Sequence, residues 1–272
     1  MNKTAHITIF THGTLPPTAL LHLPPVKRFF NCPKGICLLS ELPECHTKEL
    51  LTTLCTNHPD EYPYEHTYTF GWQGFFSHEG RQEAAKELYF ALGDLKKKYQ
   101  AEGIEPLFTL ITHSHGGNVA LCLKKISDLS KNRENLQIEK LILLACPIQL
   151  ETADYVKDPL FKEVYSIHSH HDIFQVLDPQ GIRTFLEHLK NFGLEFTLSN
   201  LKELGPLFSQ RHFPQNSVAK QLNVRYPYRE LFHIEFLLPP FMNALPGLIK
   251  KMAPLKPGAE ELVHVFKQDK SL

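Results

Sequence analysis

Apolar residues along the chain form short continuous runs that alternate with segments of helical spacing. "LILLACPI" (141–148) is a continuous apolar run, typical of a central strand covered on both faces of a parallel sheet, and "LFTLIT" (107–112) is predicted to be another buried strand. Between residues 77 and 99, apolar side chains recur every three or four positions, which predicts an amphipathic helix. A further helix is expected over 116–129, after the first run. The alternation predicts an α/β fold with a mostly parallel central sheet and helices on both faces.

Shorter segments of the chain repeat the same two patterns. Runs rich in β-branched and aromatic residues predict further strands at 6–10, 66–72 and 164–169, and a last strand at 222–226. Helical spacing predicts further helices near 47–56, over 236–252 with a proline break, and in the terminal stretch 260–266.

We expect a single domain over 1–272, because the sequence has no internal repeat, linker or low-complexity tract. Two segments interrupt the alternation. Residues 15–65 are rich in proline and cysteine and are predicted to be an irregular insertion. Residues 178–221 carry amphipathic helical patterns, and this helical insertion is expected either to cap a pocket or to complete the core.

The charge balance restricts the classes of partner. Lys and Arg total 29 and Asp and Glu total 29, so the net charge is zero and a nucleic acid or anionic membrane is not expected as the main partner. No apolar stretch approaches the ~20 residues that cross a bilayer, and the N-terminus lacks the apolar core of a signal peptide. We expect a cytoplasmic protein without a transmembrane segment. Its oligomeric state is not indicated.

The six cysteines do not suggest a metal site. None of their spacings forms the C-x2-C pair that is typical of structural zinc. Reduced thiols that act as small apolar residues are the expected outcome.

The stretch "THSHGGNVAL" (112–121) combines a serine with two following glycines at the end of an apolar run. A hydroxyl that stands clear of a sheet requires a strained turn, and such a turn requires small neighbours. Gly116 supplies a small neighbour two positions after Ser114. The N-terminus of the following helix directs N–H groups toward the site, where they can stabilise an oxyanion.

At these residues the chain resembles the α/β-hydrolase superfamily, particularly its lipases and esterases. Their G-x-S-x-G pattern is matched by "THSHG", with Thr112 in place of the first glycine. The resemblance implies that Ser114 is the nucleophile and that the backbone N–H of His115 is an oxyanion donor. Neighbours in so sharp a turn direct their side chains away from the serine hydroxyl. The side chains of His113 and His115 are therefore expected to pack rather than to act as bases.

An early loop is similar to the HG-x loop of lipases. It follows the strand predicted at 6–10 and contains His12, Gly13 and Thr14. The resemblance implies a second oxyanion donor, the backbone N–H of Thr14, with Gly13 allowing the close approach of the backbone. An ordinary glycine after a strand is the alternative. Trp72 and Phe75, before the helix at 77–99, are expected either to line a pocket or to pack.

The superfamily order of nucleophile, acid and histidine places the acid after a later strand. Asp172 in "VYSIHSHHDIFQV" fits this position best. The rivals do not directly follow an apolar strand; they are Asp154, Asp158 and Asp178.

The catalytic base is expected after the last strand. His233 lies between the strand at 222–226 and the helix at 236–252, as the resemblance implies. His212 and His264 are the competing histidines.

These residues predict a serine hydrolase that cleaves carboxylic esters through an acyl-enzyme and needs neither metal nor cofactor. The expected partner is a small-molecule ester, with an apolar acyl group favoured if 178–221 forms a cap. One alternative is a hydrolase-fold binding or scaffold protein without turnover, since a fold does not guarantee activity. Another is a metal-dependent hydrolase that uses the "HSHHD" cluster at 168–172. Ester, thioester and acyl-transfer chemistry are not distinguished by the sequence.

Overall fold

The protein is described by a computed structural model over residues 3–14, 32–74, 77–130, 136–170, 172, 175 and 209–265. Its strands are β1 (Lys3–Thr11), β2 (Gly35–Leu38), β3 (Thr67–Gly71), β4 (Ile104–His113), β5 (Ile138–Leu144), β6 (Phe161–His168), β7 (Lys220–Arg225) and β8 (Glu260–His264). Its helices of at least two turns are α1 (His46–Asn57), α2 (His78–Ala101), α3 (His115–Leu121), α4 (Leu123–Leu129) and α5 (Pro239–Met252).

All eight strands belong to one sheet, in the order β2-β3-β1-β4-β5-β6-β7-β8. Every neighbouring pair is parallel except β2 and β3, which are antiparallel at one edge. Helices α2, α3 and α4 contact one another, and α1 contacts α5. Their apolar faces belong to two separate clusters, one on each side of the sheet. The predicted α/β fold with a mostly parallel sheet is confirmed.

The continuous apolar runs are explained by this double covering. Successive side chains of a strand point to opposite faces, so Leu110 lies in one apolar cluster and Ile111 in the other. Leu143 and Leu144 divide in the same way on β5. All four side chains are fully buried, and each burial stabilises the fold by about 1.5–3 kcal/mol. Strands in this position have no polar face.

The prediction for the end of the chain was wrong. Residues 260–264 form strand β8 rather than part of a helix, so the strand at 220–225 is not the last. β8 pairs in parallel with β7, and its side chains alternate between the exposed Leu262 and the buried Val263. With only five residues, the segment gains more from hydrogen bonds to a neighbouring strand than an isolated helical turn would supply.

Other boundaries also differ from the predictions. Strand β5 ends at Leu144 because Ala145 has a φ of 48° and cannot continue the strand. The helix expected over 116–129 is divided at Cys122, whose backbone remains right-handed. Within the segment predicted to be irregular, 15–65, the described part contains the edge strand β2 and the expected helix α1.

The second insertion, 178–221, falls mostly outside the described residues. Its described part, 209–221, runs as a loop into the start of β7. Gln210 in this loop pairs with Ile148 through two backbone hydrogen bonds of 2.8 Å. No helix in the described ranges combines the length and apolar character that crossing a membrane requires.

The sheet brings distant segments to one edge. β1 and β4 are parallel neighbours, as are β6 and β7, so their carboxyl ends lie at the same edge. The loops that leave these ends contain all of the residues predicted to act in catalysis.

Candidate active site

Ser114 occupies a strained backbone position between β4 and α3. Its φ of 52° and ψ of −132° lie in a region that residues with a side chain rarely adopt. Such a conformation costs about 1–3 kcal/mol and persists only where neighbouring groups enforce it. The Ser114 N–H donates to the Leu144 carbonyl at 2.8 Å, and the Ser114 carbonyl accepts from the Gly117 N–H at 2.9 Å. The turn is therefore held by the strand beside it and the helix after it.

Three glycines allow the close packing around this turn. A Cβ on Gly13 would lie 2.6 Å from the Ser114 Cβ, and one on Gly116 would lie 2.5 Å from the His12 carbonyl oxygen. A Cβ on Gly117 would lie 2.4 Å from the Cys146 Sγ. These distances are shorter than van der Waals contact, so any side chain would displace either the loop after β1 or helix α3.

Thr112 replaces the first glycine of the hydrolase pattern without crowding the turn. Its side chain is fully buried in the sheet, where its hydroxyl donates to the Ile142 carbonyl at 3.1 Å. The hydrogen bond satisfies a polar group that would otherwise be costly to bury. A β-branched residue is thus compatible with the turn at this position.

Asp172 and His233 meet although 61 residues separate them along the chain. The His233 Nδ1 lies 2.7 Å from the Asp172 Oδ2, and only 1% of Asp172 is exposed. An Nδ1–H that donates to this carboxylate leaves Nε2 as the nitrogen able to accept a proton. The carboxylate also stabilises the ring when it becomes charged.

The loops that carry this pair are themselves fixed by polar contacts. The Arg211 Nε–H donates to the Asp172 backbone carbonyl at 3.2 Å, and the Gln175 N–H donates to Asp172 Oδ1 at 3.4 Å. On the other side, the Glu235 carboxylate accepts the Phe232 N–H at 2.7 Å and two N–H groups of Arg229 at 2.6 and 2.7 Å. Arg229 lowers the pKa of Glu235, so the carboxylate that holds the His233 turn stays ionised.

The competing residues have other partners. His212 lies beside the His168 ring, and His264 accepts from the Arg225 guanidinium. Asp154 pairs with Lys157 on the surface, and Asp158 accepts from the Leu160 N–H. Asp178 lies outside the described residues.

Ser114 and His233 line the same cavity of about 110 Å³. Gly13 and Thr14 line it as well, on the side of β1. The remaining lining includes apolar side chains, among them Phe10, Leu50, Ile234 and Leu237. His115 begins helix α3, and the first N–H groups of a helix are not used by the helix itself. The backbone N–H groups of Thr14 and His115 stay the predicted oxyanion donors.

The two histidines that flank Ser114 contact different parts of the protein. The His113 Nε2 lies 3.0 Å from the His233 backbone oxygen, and the two rings are 4.6 Å apart. Burial lowers the pKa of His113 well below its usual value, so its ring is neutral beside His233. The His115 Nδ1 instead lies 3.4 Å from Arg81 NH1, on the α2 side.

A buried polar network beside the turn at Ser114 was not predicted from the sequence. Arg81 of α2 donates to the Gln149 side chain at 3.1 Å, and the Thr152 hydroxyl donates to Asn118 at 2.7 Å. Asn118 in turn donates to the Pro147 carbonyl at 2.9 Å. The network joins helices α2 and α3 to the loop after β5. In the sequence, only Arg81, which follows the Trp72 segment, could have suggested this network.

Trp72 packs against the loop after β1 instead of lining the cavity. Its indole N–H donates to the His12 carbonyl at 2.8 Å, and its ring stacks on the His12 ring. Phe75 lies outside the described residues.

The "HSHHD" segment does not gather ligands in its described part. The His168 Nε2 lies 3.4 Å from a Glu260 carboxylate oxygen, while Asp172 contacts His233. In the described portion of the chain, no three His, Cys, Asp or Glu side chains come together as a metal ion would require. His171 lies outside that portion.

The sequence matches no protein-family model and none of the curated proteins. Among solved structures, the chain is similar to the phospholipase PlaB from Legionella pneumophila in complex with thio-NAD, with 14% sequence identity and a TM-score of 0.35. The similarity covers 81% of this chain and 38% of that chain. The chain thus spans less than two fifths of the phospholipase's length.

Proposed function

We propose that this protein is a serine hydrolase that cleaves carboxylic esters, with Ser114 as nucleophile, His233 as base and Asp172 as the acid that orients it. One observation carries the proposal. The Asp172–His233 hydrogen bond of 2.7 Å faces a cavity that also contains a serine in a strained turn. A serine, a histidine and a carboxylate from three distant segments at one cavity support an acyl-transfer site, because such sites are recognised by geometry and roles rather than by sequence order.

In the first half of the reaction, the His233 Nε2 takes the proton of the Ser114 hydroxyl as its oxygen attacks the ester carbonyl carbon. The carbonyl π electrons move to the oxygen, and the resulting oxyanion accepts hydrogen bonds from the Thr14 and His115 N–H groups. The oxyanion then collapses and expels the alkoxide, which takes the proton from His233. An acyl-serine and a free alcohol result.

In the second half, His233 removes a proton from water, and the hydroxide attacks the acyl-serine. The second tetrahedral intermediate expels the serine oxygen, which recovers the proton from His233. A carboxylic acid leaves, and the enzyme returns to its starting state. Asp172 keeps its hydrogen bond to His233 and stabilises the imidazolium in both halves.

The cavity supports an ester with an apolar acyl group. Phe10, Leu50 and Leu237 form apolar walls around the serine. Burial of each methylene against such walls contributes about 0.8 kcal/mol. A series of p-nitrophenyl esters of increasing acyl length should therefore show rising kcat/KM until the cavity is full.

Fluorophosphonate labelling tests the nucleophile directly, because an activated serine displaces the fluoride of the reagent and becomes phosphonylated. The wild type should be labelled and Ser114→Ala should not. Ser166→Ala, which removes a buried serine on β6, is the matched control and should remain labelled. Labelling of Ser114→Ala, or none of the wild type, would contradict the proposal.

A further inference from the structure

His12 connects two segments that meet beside Ser114. It follows the last residue of β1, and its side chain is buried between the Gly13 backbone and Trp72. The His12 Nδ1 lies 2.6 Å from the Gly13 carbonyl oxygen, and the His12 Nε2 lies 3.2 Å from the Trp72 backbone nitrogen. Both ring nitrogens therefore contact the main chain.

These two contacts determine where the ring proton lies. A carbonyl oxygen only accepts, so the His12 Nδ1 carries the proton and donates to Gly13. A backbone N–H only donates, so the His12 Nε2 is unprotonated and accepts from Trp72. The arrangement requires a neutral ring of the Nδ1–H form, since an imidazolium has no nitrogen that could accept from Trp72.

The surroundings of His12 keep the ring neutral. Complete burial lowers its pKa to about 4, against a smaller opposing effect of the backbone contacts. The titratable side chains that line the adjoining cavity are Cys32, His46, His113 and His233. Burial raises the pKa of Cys32 to about 11 and lowers that of His113, so neither of these two groups carries charge near neutral pH.

The Gly13 carbonyl and the Thr14 N–H belong to one peptide unit. The described peptide bonds contain no cis bond, and in a planar trans unit the C=O and N–H point in opposite directions. A hydrogen bond that holds the carbonyl on the His12 side consequently directs the N–H away from it. Glycine leaves this peptide free to rotate if the carbonyl is released.

The same peptide lies directly against the nucleophile. A Cβ on Gly13 would lie 3.2 Å from the Ser114 Oγ, and both Gly13 and Thr14 line the cavity. An N–H at this place is within reach of an oxygen on a carbon bonded to Ser114.

We propose that His12 is a positioning residue for the oxyanion hole, whose neutral imidazole holds the Gly13 carbonyl and thereby directs the Thr14 N–H toward the substrate oxygen. The inference rests on the proposed ester hydrolysis and assigns a role to a side chain that takes no part in proton transfer. It predicts that the contact with Gly13, more than the contact with Trp72, controls turnover.

Two amide substitutions separate the two contacts. In His12→Asn, the amide nitrogen reaches about the position of the imidazole Nδ1 and can still donate to Gly13. In His12→Gln, the amide reaches about the position of Nε2 and can contact only Trp72. We expect His12→Gln to lose about 10²–10³-fold in kcat with little change in KM, the loss associated with one oxyanion donor. His12→Asn should stay within about tenfold of the wild type.

Equal kcat values for the two variants would overturn the inference, because a purely structural role would not depend on which contact is kept. Unfolding midpoints of both variants, measured in urea, correct for any general loss of stability. If the wild type neither hydrolyses esters nor reacts with fluorophosphonate, the proposed function fails. If the wild type is active and the two variants have equal kcat values, only the role proposed for His12 is overturned.

Trp72 provides a second readout that needs no substrate. It is the single tryptophan of the chain, and its ring lies 6.0 Å from that of His12 at an angle of 15°. An imidazolium quenches indole fluorescence, so the emission should fall with a midpoint near pH 4 in the wild type and lack this step in His12→Asn. A midpoint at pH 6.5, the ordinary pKa of histidine, would show that the folded protein does not hold the His12 ring neutral, and it would overturn the inference.

Discussion

The cavity has a nucleophile side, with the proposed nucleophile Ser114, and an acid–base side, with the proposed acid Asp172 and base His233, and the two sides are built in different ways. On the nucleophile side, Gly13 and Ser114 leave adjacent parallel strands, and close backbone packing holds them. On the other side, Asp172 lies four residues beyond β6, and His233 begins a short 3-10 helix eight residues beyond β7. Their positions depend on Arg211, Gln175 and the Arg229–Glu235 pair. One side is determined by main-chain sterics and the other by side-chain hydrogen bonds.

This difference indicates where each side is vulnerable. Packed backbone tolerates no added volume, because a single methyl group meets atoms that cannot move away. Hydrogen-bonded loops tolerate changes of volume better, but they fail when one partner is removed and the other remains buried.

Replacement of the proposed base should cause the largest loss. His233→Gln keeps a polar side chain but cannot accept the serine proton, so kcat should fall by about 10⁶-fold, as for other catalytic triads. Steady-state hydrolysis of a p-nitrophenyl ester measures the effect. His212→Gln and His264→Gln, which change histidines outside the cavity lining, should retain activity within a fewfold factor. Loss of activity in either control, with His233→Gln active, would identify another base.

Replacement of the proposed acid should cost less. Asp172→Asn removes the charge and reverses the hydrogen bond, so His233 adopts the wrong tautomer and kcat should fall by about 10⁴-fold. The matched control is Asp154→Asn, which changes an exposed carboxylate paired with Lys157. A drop in activity that is the same for both variants would argue against the role of Asp172.

Acid should destabilise the nucleophile side through His12. The unfolded chain takes up this proton near pH 6.5, whereas the folded protein does so only near pH 4. Between these values the folded state binds fewer protons, so the free energy of unfolding falls as the pH falls. This group alone accounts for a loss of about 3 kcal/mol by pH 4.

Urea unfolding between pH 7 and pH 4 measures that loss. In His12→Asn, the free energy of unfolding should fall less steeply with falling pH than in the wild type. The difference in slope should correspond to the uptake of one proton on unfolding, whatever the stability of the variant at neutral pH. An identical slope in the two proteins would show that His12 is not held neutral in the folded state.

A methyl group on Gly13 should disturb the nucleophile side by volume alone. Gly13→Ala places a Cβ 2.6 Å from that of Ser114, and a shift of about 1 Å commonly costs about 10²-fold in kcat. Gly247→Ala is the control, because its Cβ meets no atom within 4 Å in helix α5. That substitution should stabilise the protein by about 0.5–1 kcal/mol and leave kcat unchanged. Full activity in Gly13→Ala would show that the packing is looser than the distances imply.

His113 bridges the two sides, and its loss should have the smallest effect. It is the last residue of β4 on the nucleophile side, yet its Nε2 contacts the backbone oxygen of His233. His113→Leu removes this contact and should lower kcat by about tenfold, the value of one hydrogen bond. His113→Gln keeps a donor at about the same place and should approach the wild type. Equal losses in the two variants would point to general packing.

The central sheet and the nucleophile turn are the parts that the sequence predicts well. The segment 107–112 contains no charged residue and four large apolar ones because two helical layers cover β4, and "SHGG" is a local pattern whose strain and small neighbours lie within four positions. The helix expected over 260–266 was wrong for residues 260–264, because so short a segment does not distinguish helical spacing from the alternation of a strand. Its strand character comes from β7, which lies more than thirty residues away in the chain.

The residues themselves determined the strands that are buried on both faces, the place of the sharp turn at Ser114 and the set of acids and histidines available for chemistry. Only the tertiary structure decided which of these meet. Asp172 is joined to His233 and not to the rival histidines, and the His12 ring is joined to Gly13 and Trp72. Local patterns act over a few residues, whereas a buried polar group must find its partner wherever the fold brings one.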